Sequence, residues 1–165
     1  MTEAYEEILE GETYWRRAPD ARHELICERL HMSLWPSLTR VQGLRLLPPR
    51  APVSPSPGNV FRPDLTLIST LTQQPWLIAE VIDSHDHHFD TVRKKAVFER
   101  VRLPRLWMVD PRYNNLEVYQ AGPYGLSLIQ SLAASDVLTD PSLPGLALRL
   151  AELFAEGAPP GEPLA

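Results

Sequence analysis

Residues 76–82, WLIAEVI, set the strongest constraint on what this chain can fold into. The run has the length and composition of a strand. Alternation along a strand puts Leu77, Ala79 and Val81 on one face and Ile78, Glu80 and Ile82 on the other. Both faces are therefore apolar, and a single carboxylate stands inside them. Burying an unpaired carboxylate costs several kcal/mol. Glu80 thus calls for a cation, a strong hydrogen-bond donor or a bound metal within reach, unless it stands close enough to the strand end to meet solvent.

The neighbouring segments extend this picture. LTLIST (65–70) reads as a second strand, joined to the first by the polar LTQQP, so the two should form a hairpin. Before them, EAYEEILEG reads as a short helix closed by Gly11, and ARHELICERLHMSLWPSL repeats Leu25, Ile26, Leu30 and Leu34 at helical spacing. GLRLL has a strand-like start, and the proline-rich 48–58 that follows reads as a loop, since proline continues neither a helix nor a central strand. Beyond the hairpin, Asp90 is placed to cap a helix through TVRKKAVFERV. RLWMVDP, LEVY and YGLSLIQSL read as strands, the second entered through the Asn114–Asn115 turn, and LRLAELFAE as a closing helix. The order predicts a mixed α/β domain, a central sheet flanked by helices. No internal repeat is visible, and one domain over residues 1–165 with a flexible tail at 157–165 is expected.

Composition narrows the class further. A 44% hydrophobic content suits a soluble globular chain, and a lone cysteine, Cys27, cannot form an internal disulfide. The acidic first thirty residues hold no apolar run long enough for a signal peptide or a membrane span, so a cytoplasmic location is expected. The net charge of −5 argues against a general polyanion binder, yet it hides an uneven distribution. Five glutamates fall in MTEAYEEILEGE, whereas Arg93, Lys94, Lys95, Arg100, Arg102 and Arg105 crowd into 93–105.

Several residues could carry chemistry. Asp64 opens the strand next to that of Glu80, so the two could converge; two close carboxylates repel, and a divalent cation with oxygen ligands relieves this. Read by itself, Asp64 is more simply a turn residue after Pro63. Helical geometry turns Lys94 inward with Val97, Phe98 and Val101, and Lys95 outward with Glu99 and Arg102. His85, His87 and His88 with Asp86 could bind a transition metal, although four contiguous loop residues orient ligands poorly and an exposed polar turn is the better reading. Cys27 reads as a small buried side chain, and Trp15, Trp35, Trp76 and Trp107 as core or interface residues.

Taken in order, RPDLTLI (62–68), PWLIAEVIDS (75–84), the run from Asp90 through Lys94 to Phe98, and LPRLWMVDP (103–111) followed by LEVY resemble the Uma-two-type endonuclease family of the PD-(D/E)XK, restriction-endonuclease-like superfamily. GETYWRRAPDARHELI, where His23 matches a histidine usual in that helix, and SLPGLALRLAELF echo it more weakly. The resemblance implies a restriction-endonuclease-like fold, with Asp64 and Glu80 as acidic metal ligands together with the Val81 carbonyl, and Lys94 as the catalytic lysine. It departs from the usual superfamily pattern in having Ile82 two residues after the acid, the lysine having moved to the following helix. It departs again in HDHHFD, where relatives carry small polar residues.

The implied activity is Mg²⁺- or Mn²⁺-dependent hydrolysis of DNA phosphodiester bonds. Lys94 would help position or activate the water and contact the scissile phosphate, and Arg93, Lys95, Arg100 and Arg102 would offer backbone phosphate contacts unless they form a solvated face. A homodimer would allow both strands of a duplex to be cut. Two other classes remain open: a nucleic-acid-binding or regulatory module that keeps the fold without cleavage, and a metal-binding protein built on the histidine turn.

Overall fold

The computed structural model describes residues 3–157, so the expected flexible tail lies outside the described residues apart from Gly157. The chain opens with a strand where a helix was expected: β1 (Tyr5–Leu9) pairs antiparallel with β2 (Glu12–Arg16). The governing period is two. Glu7 and Leu9 are buried while Glu6 is exposed. Gly11, which reads as a helix stop, instead forms a two-residue turn with Glu10, their φ angles of +82° and +50° matching the type I′ geometry that a tight hairpin favours.

Helix α1 (Ala21–Ser33) starts at Asp20, whose side chain accepts from the His23 backbone N–H at 2.8 Å, and it buries Ile26, Cys27 and Leu30. After α2 (Trp35–Leu38) come β3 (Leu44–Leu46), β4 (Val53–Ser56), β5 (Asn59–Phe61), β6 (Leu65–Ser69) and β7 (Pro75–Val81). The proline-rich segment is thus not loop throughout. It contributes β4, an edge strand of a four-stranded sheet ordered β2-β1-β5-β4, and an edge is where a strand tolerates a residue such as Pro55.

A π-helical turn (Phe89–Lys94) leads into α3 (Lys95–Arg100), then β8 (Arg105–Asp110), β9 (Asn115–Gly122), β10 (Gly125–Ala133), the short pair β11 (Val137–Leu138) and β12 (Leu148–Arg149), and α4 (Leu150–Leu153). Asp90 does not cap this helix, which has no side-chain cap. Its carboxylate is instead taken up by Arg16 and by the Asp83 backbone N–H, which donates to Oδ2 at 3.2 Å. The closing helix is shorter than the LRLAELFAE pattern suggests, because Leu148 and Arg149 pair with β11.

The central sheet has the order β10-β9-β8-β7-β6-β3 and is mixed: β7 and β8 run parallel around the α3 crossover, and every other neighbouring pair is antiparallel. The hairpin of β6 and β7 is present as expected. Leu77, Ala79 and Val81 pack under α1 and α4 with Trp107, Leu30 and Leu150, whereas Ile78 and Ile82 face Phe61, Phe89 and Phe98 on the side of α3 and the smaller sheet. β7 is therefore covered on both faces, as its composition demands, and the mixed α/β architecture with a central sheet flanked by helices follows from it. The smaller sheet was not foreseen. Among the tryptophans, Trp107 is core and Trp76 packs at its edge, but Trp15 and Trp35 are exposed. Among the described residues no helix is long and apolar enough to cross a membrane.

Candidate active site

The register of β6 with β7 pairs Leu65 with Ala79 and Thr66 with Ile78. Continued by one residue, it sets Asp64 opposite Glu80. Both carboxylates are buried and both line a cleft of about 360 Å³ whose wall also includes Val81, Arg16 and His23. The alternative of a solvent-reaching strand-end glutamate is thereby removed: Glu80 is 3% exposed.

Asp64 is held by a dense set of donors. Its Oδ1 meets His23 Nε2 at 2.8 Å and Arg50 Nη1 at 3.1 Å, and its Oδ2 accepts from the Val81 N–H at 2.8 Å. Burial alone would raise its pKa, but His23, the Val81 amide and Arg50 together hold it below the usual carboxylate range. In return Asp64 raises the His23 pKa against the effect of burial.

Glu80 has the opposite surroundings. Lys94 is fully buried, its Nζ 2.6 Å from Glu80 Oε1, 2.8 Å from Glu7 Oε2 and 3.9 Å from Asp90 Oδ1. The inward direction read from helical geometry is correct, and the π-helical turn ends on this residue. Glu7 and Asp90 are also bound by Arg16, whose Nη2 lies 2.9 Å from both Asp90 oxygens. Three buried carboxylates, Glu7, Glu80 and Asp90, thus share two buried cations, Arg16 and Lys94. The surplus falls on Glu80. Burial pushes its carboxyl up to about 8, the Lys94 ammonium opposes this, and Asp90, Glu7 and Asp64 add to it. Its Oε1 is buried and, despite the close ammonium, has no aligned hydrogen-bond donor among the described residues. Lys94 is also shifted upward, which in its case favours the charged form: burial works against its charge, but Glu7, Glu80 and Asp90 prevail and raise its pKa.

These features fit a hard divalent cation. A carboxylate has about four lone-pair positions, of which Asp64 uses three, and the ionised form of Glu80 is one that the protein itself leaves short of positive charge. No cluster of three or more His, Cys, Asp or Glu side chains arranged for a metal occurs among the described residues. Two carboxylates with waters suit Mg²⁺, which seldom uses an all-protein cage.

Other sequence candidates fall elsewhere. His85, Asp86, His87 and His88 are exposed, in keeping with a polar turn. Arg93, Lys95, Arg100 and Arg102 do not line the cleft: Arg93 lies over Tyr14, Lys95 over Tyr119, and Arg100 pairs with Glu10. The cations on the cleft wall are Arg16, Arg17, Arg22 and Arg112. The sequence reading does not reach Glu7, Arg16 or Arg50. The alternation of Tyr5, Glu7 and Leu9 was the available signal for Glu7; nothing local distinguishes Arg16 or Arg50.

The fold and this pair of strand-borne carboxylates define a restriction-endonuclease-like α/β protein. The family model described as "Uma2: Putative restriction endonuclease" matches residues 2–151, and the chain belongs to that family. Among solved structures, the crystal structure of "a putative nuclease belonging to DUF820" from Anabaena variabilis ATCC 29413 superposes with a TM-score of 0.75 at 14% identity, covering 93% of this chain and 91% of that one, and so shares the fold. A cryo-EM structure of a DrdV–DNA complex aligns at 25% identity over 83% of this chain and 11% of that chain, with a TM-score of 0.40. No curated protein matches.

Proposed function

We propose that the protein is a divalent-metal-dependent endonuclease that hydrolyses DNA phosphodiester bonds. The observation that carries this reading is the convergence of Asp64 and Glu80 on one cleft, with Lys94 against Glu80. Asp64, Glu80 and the Val81 carbonyl are the groups that would hold Mg²⁺ or Mn²⁺. When bound, the ion supplies Lewis acidity, lowering the pKa of a water and offsetting charge that develops on the phosphorus centre.

The remaining roles belong to the chain itself. His23, Arg50 and the Val81 amide keep Asp64 ionised and fixed in direction. Lys94 is held protonated by three carboxylates, so it acts as a cation that orients Glu80 and not as a base. Being fully buried, it stands behind Glu80, and the backbone phosphates fall to Arg17, Arg22 and Arg112 on the cleft wall. Cutting both strands of a duplex in one encounter would require two copies.

The test is cleavage of supercoiled plasmid and of single-stranded DNA in Mg²⁺ or Mn²⁺ by the wild type, Glu80→Ala and Lys94→Ala at matched purity. The reading expects nicked or linear product that both substitutions remove, and linear product without a nicked intermediate would mark the two-copy form. Equal activity in all three proteins would expose a contaminant. Binding without cleavage would favour a non-catalytic nucleic-acid-binding module, the reading that the surplus, protonated Glu80 would suit if no cation occupied the site.

A further inference from the structure

Arg16 is held from two sides. Nη1 is bound to Glu7, Nη2 takes both Asp90 oxygens at 2.9 Å, and the guanidinium carbon lies 4.7 Å from the centre of the Phe89 ring. The side chain is only 4% exposed, yet it lines the cleft beside Asp64 and Glu80. One nitrogen of this fixed fork is left over: the buried Nε–H has no hydrogen-bond partner among the described residues. A buried unsatisfied donor is costly, so its persistence calls for an explanation. The Asp86 carboxylate lies 3.7 Å from it, beyond hydrogen-bond reach, on a residue whose side chain is 49% exposed. The segment 84–88 that carries it is exposed throughout, and its Ser84 and His85 line the same cleft.

We propose that Arg16 binds substrate phosphate in this cleft, its Nε–H donating to a non-bridging oxygen of the nucleic-acid backbone once the substrate displaces Asp86, which screens that donor in the free protein. This rests on the nuclease reading and adds a residue to it. Glu7 and Asp90 largely neutralise the guanidinium, so its contribution is direction more than charge: a planar donor already fixed in orientation, which loses little freedom when the phosphate arrives. Asp86, an exposed anion on the segment whose Ser84 and His85 line the cleft, then acts as a weak internal competitor.

The experiment measures the Kd of a fluorescent oligodeoxynucleotide, single- and double-stranded, in Ca²⁺ in place of Mg²⁺, for the wild type, Asp86→Ala, Arg16→Lys and the double variant. The expected result is about two- to fivefold tighter binding for Asp86→Ala, the range of an exposed charge pair, and loss of that gain in the Arg16→Lys background. Unchanged affinity on Asp86→Ala would overturn the proposal, as would an equal gain in both backgrounds, which would reduce Asp86 to general repulsion. Binding by no variant would instead bring down the nuclease reading itself. Should Arg16→Lys fail to fold, as thermal melting would reveal, the ¹⁵N–¹H resonance of the Arg16 Nε in the wild type decides: it should move with added oligonucleotide, and a still signal while the Asp83 amide shifts refutes the contact.

Discussion

Replacing Glu80 with glutamine in metal-free protein separates the charge balance of the site from its chemistry. An unfolded chain ionises Glu80 near 4.5, whereas the folded protein keeps the proton to about 8. Between those values folding takes up a proton, so stability is fullest below the lower value and is lost as pH rises through the window. Each pH unit is worth about 1.4 kcal/mol, so the loss across the window is at most about 5 kcal/mol. For a chain of this size that is roughly 10–20 °C in melting temperature as an upper bound. Asp90, also raised by burial, and His23, raised by Asp64, add slopes of the same sign, while Lys94 is shifted upward and titrates above the window. In chelator, wild-type melting temperature should therefore fall between about pH 5 and 8, and Glu80→Gln should make that fall shallower. Mg²⁺ at about pH 8 should then raise the wild-type melting temperature and leave Glu80→Gln nearly unmoved, since the ion stabilises only the protein that binds it. Equal pH slopes in the two proteins would refute the claim that the surplus charge sits on Glu80.

Lys94→Met, which keeps length and removes the cation, leaves Glu7 and Glu80 facing each other without it; a loss of about 3–5 kcal/mol by urea unfolding and of plasmid cleavage is expected. Gly125→Ala places a Cβ 2.0 Å from Glu99 Oε1 at a φ of +114°, and should cost about 1–3 kcal/mol with cleavage retained at temperatures where the variant is folded. Cys27, 2% exposed and with its thiol pushed up to about 12 by burial and by Asp64, should resist iodoacetamide at neutral pH until the protein is denatured, as mass spectrometry would show.

The elements that the sequence made plain are those whose own pattern decided them. β7 is apolar on two faces because two layers cover it, and α1 repeats Ile26 and Leu30 every four residues because one stripe faces the sheet. Where two periods could be drawn through the same residues, the outcome depended on partners far along the chain. EAYEEILEG has the composition of a helix, but Ile8 pairs with Val60, about fifty positions away, and no local signal records that pairing. The same limit applies to Asp90, which reads as a cap from its neighbours and becomes a buried ion partner through Arg16. Asp64 and Glu80 were legible together because they stand on consecutive strands of one hairpin. Glu7 and Arg16 were not, since they reach the site only through the unforeseen smaller sheet.

That smaller sheet explains how one cleft holds two carboxylates in opposite states. Asp64 draws its donors from α1, from Arg50 and from the β7 backbone, all on or beside the central sheet, and is ionised by them. Glu80 faces the other layer, where the β1–β2 hairpin brings one acid, Glu7, and one base, Arg16, and so leaves the local balance of Lys94 with Glu80 and Asp90 one positive charge short. Had the hairpin contributed only Arg16, Glu80 would be satisfied by Lys94 and would have little reason to accept a further cation. Glu7 therefore does more than anchor an N-terminal strand: by competing for Lys94 it keeps Glu80 short of positive charge, and a site short of positive charge beside an already ionised aspartate is what a divalent ion can stabilise.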